Sequence, residues 1–285
     1  MAKEKGVYHF AAGKEGQDRH DLISRLNNPS SCKFLLKKVL QPGMTVLELG
    51  CGMGTMAIWL AQQVTSSGRV IAIDNSEEQL EIAKAAAEKA GVNIEFHQMP
   101  VNDVGNLGLN GTIDFVFSRF LFMQLTHPQE ALNIVKNVLK LNTGIIVSQE
   151  LISKLAFSSS ESPALPQLVN LAAKLNKYLN KDNNLGLKLL KLYKDAGLKF
   201  SDSDYKFKNT LLKMKEEKLL YYKSLVEATP AIFKNNLATE EEVNELKEGL
   251  MDLANTEDII VGGMSNIIIA GTLMGEQHTP TTDLE

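Results

Sequence analysis

Between residues 41 and 151 the chain alternates two hydrophobic patterns. Short runs at 45–49, 69–74, 93–99, 112–119 and 144–151 read as strands, the first of them buried. The stretches between them keep a helical period. Residues 54–64 form one such helix, closed by Ser66-Ser67-Gly68. Ser76 and Gln79 make a capping box for the next. Its face is Leu80, Ala83, Ala87 and Ala90, and Gly91 stops it. Pro128 opens a third helix, with Ala131, Leu132, Val135, Val138 and Leu139 on one face. Five strands alternating with helices predict a parallel sheet covered on both faces.

The second half is more helical. Leu165, Leu168, Leu171, Leu175 and Leu179 stripe a helix over 163–180. Helices are also expected at 185–197 and 213–228. Thr239 and Glu242 cap another, whose stripe is Val243, Leu246, Leu250 and Leu253. Strands are expected at 199–209 and 266–272. The helical stretches at 156–182 and 211–255 read as insertions into one α/β domain, their stripes as core packing. Ahead of the first strand, 1–30 is polar and Gly-rich, and a helix is expected over about 31–40.

The 285 residues are 44% hydrophobic and 22% charged, which supports a full core and excludes a mostly disordered chain. The net charge of −4 argues against a nucleic-acid footprint, and no DNA partner is expected. The Lys-rich runs at 181–200 and 206–218 read as solvated helix faces rather than RNA or lipid contacts. Two cysteines, Cys32 and Cys51, are too few for a disulfide framework and fit a reducing compartment. The start of the chain has no apolar core of a signal peptide. The apolar stretch 259–274 is broken by Gly262, Gly263, Ser265, Asn266 and Gly271, so no transmembrane segment is read there. A cytoplasmic location is the expectation.

The chemistry concentrates at Val46-Leu47-Glu48-Leu49-Gly50-Cys51-Gly52-Met53-Gly54. This is strand, glycine turn, helix, where doubly wound sheets bind ligands at their strand C-termini. It departs from the dinucleotide fingerprint, whose third position would be Thr55. Glu48 would repel a pyrophosphate and suits a cationic group such as an amino-acid ammonium. Asp74 ends the second strand, 20 residues after Gly54, where an acid can accept hydrogen bonds from both ribose hydroxyls. Its alternative role as a helix cap is already filled by Ser76.

The segments ELGCGMGTMAIWLA and GRVIAIDNSEEQLEIAK resemble a class I S-adenosylmethionine-dependent methyltransferase. The run SRFLFMQLTHPQEALNIVKNVLKLNTGIIVSQEL is similar to the small-molecule branch related to ubiquinone and menaquinone biosynthesis. The resemblance implies a Rossmann-like, doubly wound seven-stranded α/β sheet in the order 3-2-1-4-5-7-6. Strand seven is antiparallel, and helical insertions form a lid. Residues 1–40 become an N-terminal lid segment, 41–155 the core, 156–184 an insertion, and 185–210 a helix and the sixth strand. Residues 211–258 become a second insertion, 259–275 the seventh strand and 276–285 a tail.

The implied cofactor is S-adenosyl-L-methionine, leaving as S-adenosyl-L-homocysteine. By position, Glu48, Gly50, Cys51 and Gly52 hold the methionine part and Asp74 the ribose. Asn75 and Gln79 lie near ribose and adenine, and Val101 and Asn102 near adenine. Ser118, Arg119 and Phe120 face the methyl-donor side. Tyr8 and Arg19 (in a pattern with Glu15 and Leu22) resemble lid residues, Arg19 toward the cofactor carboxylate. Two departures stand out. Pro100 occupies the place of an adenine-binding Asp, and Gln124 the place of a His.

Glu150, at the end of strand five, and Arg119 are the catalytic candidates. His20, His97 and His127 read as surface, strand and cap residues. Cys51 reads as a small loop residue rather than a nucleophile, and no metal is expected. Phe120, Phe122, Phe157, Tyr221, Tyr222 and Phe233 are expected to wall a roofed acceptor pocket. The expected function is methyl transfer to a small, apolar acceptor by in-line displacement. RNA or protein methylation, or cofactor binding without catalysis, are the alternatives. SRFL stands where amine-methylating base enzymes carry Asn-Pro-Pro-aromatic. A homodimer stays open.

Overall fold

The computed structural model describes residues 13–38 and 40–275. Strands β1 (Thr45–Leu49), β2 (Arg69–Asp74), β3 (Glu95–Gln98), β4 (Phe115–Arg119) and β5 (Ile145–Leu151) pair in parallel in the order β3-β2-β1-β4-β5. The central strands are sealed on both faces, as parallel strands require: Val46, Leu47, Leu49, Phe115, Val116 and Phe117 have no exposed surface, whereas the edge strand β3 is only half-buried.

The strands β6 (Phe157–Ser158), β7 (Leu198–Lys199) and β8 (Tyr205–Leu212) are organised by β9 (Val261–Leu273), which runs antiparallel to β5. Ile145 of β5 and Lys199 of β7 both pair with Thr272, so they lie on opposite edges of β9. Phe157 of β6 and Leu211 of β8 likewise share Gly262. The path β3-β2-β1-β4-β5-β9-β8 is therefore the expected order, with β8 sixth and β9 seventh and antiparallel.

Several boundaries differ from the sequence expectation. The strand expected at 199–209 is split into β7 and β8. The strand expected at 266–272 is 13 residues long, because Gly262 and Gly263 continue the ladder against β8. From Gly13 onward, the polar segment expected before residue 31 is helical. Helix α1 (Gly13–Lys38) is one 26-residue element. Hydrophobic periodicity hides it because part of its inward face is polar. Asn27 and Ser31 are fully buried. Ser31 Oγ donates to Gln149 Oε1 at 2.6 Å, and Gln149 Nε2 donates to Asn266 Oδ1 at 2.9 Å.

Helices α2 (Thr55–Val64), α3 (Glu77–Lys89), α4 (Pro128–Val135), α5 (Ala164–Tyr178), α6 (Leu189–Asp195), α7 (Lys215–Lys234) and α8 (Glu240–Asn255) complete the fold. Helix α7 runs past the expected 228, and a 3-10 turn, Leu185–Leu187, precedes α6. The Thr239–Glu242 box forms reciprocally, but only half of the expected Ser76–Gln79 box does: Ser76 Oγ accepts from Gln79 N–H at 3.3 Å, while Ser76 N–H donates to Asp74 instead of to the Gln79 side chain. The sheet and its flanking helices share one set of cores. A separate apolar cluster joins Leu22 and Leu26 of α1 to the stripes of α5, α7 and α8. No helix among the described residues is long and apolar enough to cross a membrane.

Asn266, with no exposed surface, is the acceptor for Gln149 and a donor to the Met264 carbonyl at 2.5 Å. Asn266→Ala strands the Gln149 amide and is expected to cost about 1–3 kcal/mol. A lowered urea midpoint with an unchanged m-value reads it out.

Candidate functional site

The loop after β1 turns by left-handed backbone: φ is +65° at Gly50, +53° at Gly52 and +78° at Gly54. A Cβ on Gly54 would stand 2.9 Å from Ala83 Cβ on α3. Only glycine therefore lets α3 close on the loop. Asp74 braces the same turn. Its Oδ2 accepts from Gly52 N–H at 2.8 Å and its Oδ1 from Ser76 N–H at 2.9 Å. Burial raises the pKa of its carboxyl, and these N–H groups and Asn75 oppose that shift.

Glu48 is 4% exposed and its Oε2 has no hydrogen-bond partner. Burial, with the Asp74 charge adding, pushes its pKa up to about 8, against the pull of Arg119. Arg119, at the end of β4, donates to Asn28 Oδ1 on α1 at 2.6 Å. Across from it, His20 on α1 is pushed down to about 4 by burial and by Arg19 and Arg119. Its imidazole is neutral at pH 7. Arg19 Nε donates to Glu227 Oε2 of α7 at 2.8 Å, and both side chains are buried. The Cys51 thiol is pushed up by burial and by Glu48 and Asp74, which keeps it protonated.

A cavity of about 1240 Å³ runs from this loop to α5 and α7. It brings together most of the residues singled out in the sequence. Arg19, Glu48, Gly50, Cys51, Gly52, Asp74, Asn75, Gln79, Val101, Asn102, Arg119 and Phe120 all line it. Phe120 sits at φ +54° and donates its N–H to the Gln149 carbonyl at 2.8 Å. That turn lays Leu121 over the glycine loop, 3.0 Å from where a Gly50 Cβ would be.

Two assignments change, and Tyr8 lies outside the described residues. Ser118 has no exposed surface and donates to Ser148 Oγ at 3.1 Å inside the sheet. Side chains alternate along β4, so when Arg119 faces the cavity Ser118 cannot. Glu150 is also fully buried and off the cavity wall. Its two oxygens accept the N–H groups of Phe122 and Met123 at 2.9 and 3.2 Å. Burial pushes its pKa to about 8 against those bonds. It anchors the turn 122–124 and does not face the ligand space.

The aromatic wall is smaller than expected. Phe120 and Tyr221 line the cavity. Phe122 is packed in the core, Tyr222 packs on the helical cluster, and Phe157 and Phe233 are exposed. The wall instead contains Leu168, Leu171 and Leu175 of α5, Leu225 and Ala228 of α7, and Met123 and Met264. The leucine stripe of α5 was legible as an apolar face. The sequence does not say that part of that face borders a cavity. His127 takes the N-cap position of α4 without a side-chain cap bond, and His97 is half-buried in β3. Among the described residues no three His, Cys, Asp or Glu side chains cluster as metal ligands would.

This geometry has counterparts. The chain is 35% identical over 125 residues to the ribosomal protein L11 methyltransferase of Thermosipho africanus, covering 44% of each chain. It is 49% identical over 57 residues to the demethylmenaquinone methyltransferase of Lactococcus lactis, covering 20% of this chain and 23% of that one. The chain thus spans less than half the length of these relatives. Its fold is like that of the YcgJ protein from Bacillus subtilis, with a TM-score of 0.58 at 17% identity, over 87% of this chain and 100% of that one. The family described as "Methyltransferase domain" matches residues 40–229, from the approach to β1 through most of α7. On that match, which takes in the glycine loop, Asp74 and the α5 leucines of the cavity wall, the chain belongs to the class I S-adenosylmethionine-dependent methyltransferases.

Proposed function

We propose that this chain transfers the methyl group of S-adenosylmethionine to a small, apolar acceptor. The carrying observation is that one continuous cavity reaches from the polar glycine loop to the apolar walls of α5 and α7. At about 1240 Å³ it exceeds the roughly 300–1,000 Å³ of an ordinary ligand pocket, which suits two molecules held side by side.

The residues at the polar end fit the cofactor. Glu48 Oε2 is a buried acceptor without a donor, and an ammonium would supply one. Glycines 50 and 52 keep the loop backbone open to close approach. Asp74 and Asn75 would hold the ribose, Gln79, Val101 and Asn102 the adenine side, and Arg19 the carboxylate end. When bound, the cofactor supplies a methyl group already activated on a sulfonium. The protein's own work is then to orient and to exclude water. Helices α1, α5 and α7 cover the space, and Arg119 and Phe120 border it where β4 ends.

Two of the candidate bases are poorly suited to take a proton from an acceptor. His20 is held neutral and weakly basic, and Glu150 is occupied by backbone N–H groups. Lys181, on the cavity wall, has its amine pushed down to about 8 by burial and is the base candidate matched to neutral pH. Tyr221 donates to the Gly262 carbonyl, Ser224 to the Leu220 carbonyl, and Asn176 to the Ala172 carbonyl. That pattern suits an apolar acceptor better than a peptide or a base.

The protein is expected to bind S-adenosylhomocysteine with affinity in the micromolar range by calorimetry. Asp74→Ala should weaken it at least tenfold, because the ribose loses its acceptor and Gly52 its brace. Glu48 also sets a pH dependence. In the free protein it holds its proton up to about pH 8, and an ammonium needs the ionised form. Binding must then expel that proton, so affinity should fall about tenfold per unit as pH drops below 8. Glu48→Gln should bind more weakly at pH 8 and lose that slope.

The acceptor class is tested by incubating the protein with methyl-labelled S-adenosylmethionine and a cell extract, then fractionating. Label in the organic-extractable, low-mass fraction is the expected result. Label retained in the protein or RNA fraction would overturn the small-molecule reading.

A further inference from the structure

Strand β9 does not run straight past the cavity. On β8, Lys208 pairs with Asn266 and Thr210 pairs with Gly263. Asn209 alone therefore faces two residues, Met264 and Ser265. An extra residue in one strand is a β-bulge, which bends the strand and re-aims a side chain. Bonds to β5's end and within β9 hold this one: Ile152 N–H donates to the Ser265 carbonyl at 2.7 Å, and Asn266 Nδ2 to the Met264 carbonyl.

The bulge places Met264 at φ +55°. Left-handed backbone is strained for a methionine and free for a glycine. Two glycines stand just before it, yet neither Gly262 nor Gly263 takes the positive φ. Packing excludes a side chain at those two positions. A Cβ on Gly263 would stand 2.6 Å from the Tyr221 hydroxyl, and one on Gly262 would enter the Phe157 ring. The strain falls instead on a residue that keeps its side chain. Of the β9 residues, Met264 alone is on the cavity wall, beside Ile152 and Tyr221 and packed on the helical cluster.

We infer that Met264 is a specificity-determining residue. The bulge drives its side chain from the sheet into the acceptor end, where its bulk limits the size of apolar group that fits under α5 and α7. Its unbranched thioether lets that floor adapt to shape without opening. The inference rests on the reading of this end of the cavity as the acceptor site of a methyltransferase.

The test uses the whole chain and a graded series of para-alkylphenols, from methyl to tert-octyl, as binding probes. Each methylene that fits is expected to tighten binding about fourfold. In the native protein affinity should rise with alkyl size and then drop where Met264 blocks. In Met264→Gly the drop should move to larger members, raising the affinity ratio of largest to smallest at least tenfold. Met264→Ala should show the same shift. It should melt below the Gly variant, because alanine still resists φ +55°.

S-adenosylhomocysteine affinity should stay within twofold in both variants, which certifies the fold. An unchanged size ratio with that affinity intact would overturn the inference. So would a native protein that binds no alkylphenol. Loss of S-adenosylhomocysteine binding in the native protein would instead sink the cofactor reading, while the alkylphenol ratio still decides the role of Met264.

Discussion

One carboxylate at the edge of the cavity ties three elements together. Asp74 ends β2 and accepts the N–H groups of Gly52, in the loop after β1, and Ser76, the N-cap of α3. The bonds are charge-assisted and largely screened from water, so they are stronger than ordinary turn bonds. They fix the loop at the place where α3 packs against Gly54. If they were lost, the backbone that faces the ligand space would lose its shape before any ligand arrived. The same acid is the one that the family resemblance places against the ribose. Bracing and binding are compatible, because each carboxylate oxygen has a second lone pair.

The roof depends on polar contacts as much as on its leucines. Helix α1 is pinned to the sheet through Asn27, Ser31, Gln149 and Asn266, which are all buried. Arg119 reaches up to Asn28, and Lys208 of β8 donates to the Leu26 carbonyl at 2.7 Å. Arg19 and Glu227 then join α1 to α7 as a buried ion pair. Such a pair is weak evidence of stability, since desolvation offsets most of its attraction, but removing one partner strands a charge. The network fixes where α1 sits over the cavity rather than how strongly it is held.

Glu150 and Glu48 show how two similar buried acids acquire different roles. Burial raises both to about 8. Glu150 has both oxygens satisfied by the backbone of Phe122 and Met123, so its work is internal. Glu48 keeps an oxygen with no partner at the wall of the cavity, so it is the acid with capacity left for a ligand. Position at a strand end did not distinguish them; hydrogen-bond partners did.

The sequence alone determined the central strands' buried runs, the alternation with helices, the glycine loop, Glu48, Asp74, and the capping box of α8. All of these are local: period, turn chemistry and spacing act over a few residues and survive in any tertiary context. The resemblance added the strand order. Tertiary structure decided what depends on distant partners. The part of helix α1 before residue 31 was hidden because Asn27 faces residues over a hundred positions away. Ser118 was misplaced because strand alternation counts from Arg119, and only the fold shows which of the two faces the cavity. Glu150 was misread because its N–H donors lie in a turn that the strand pattern does not reveal. The leucine stripe of α5 and the bulge at Met264 look like ordinary core and strand in the sequence. They border a cavity because three far-separated helices close over the strand ends, and no local pattern encodes the space left between them.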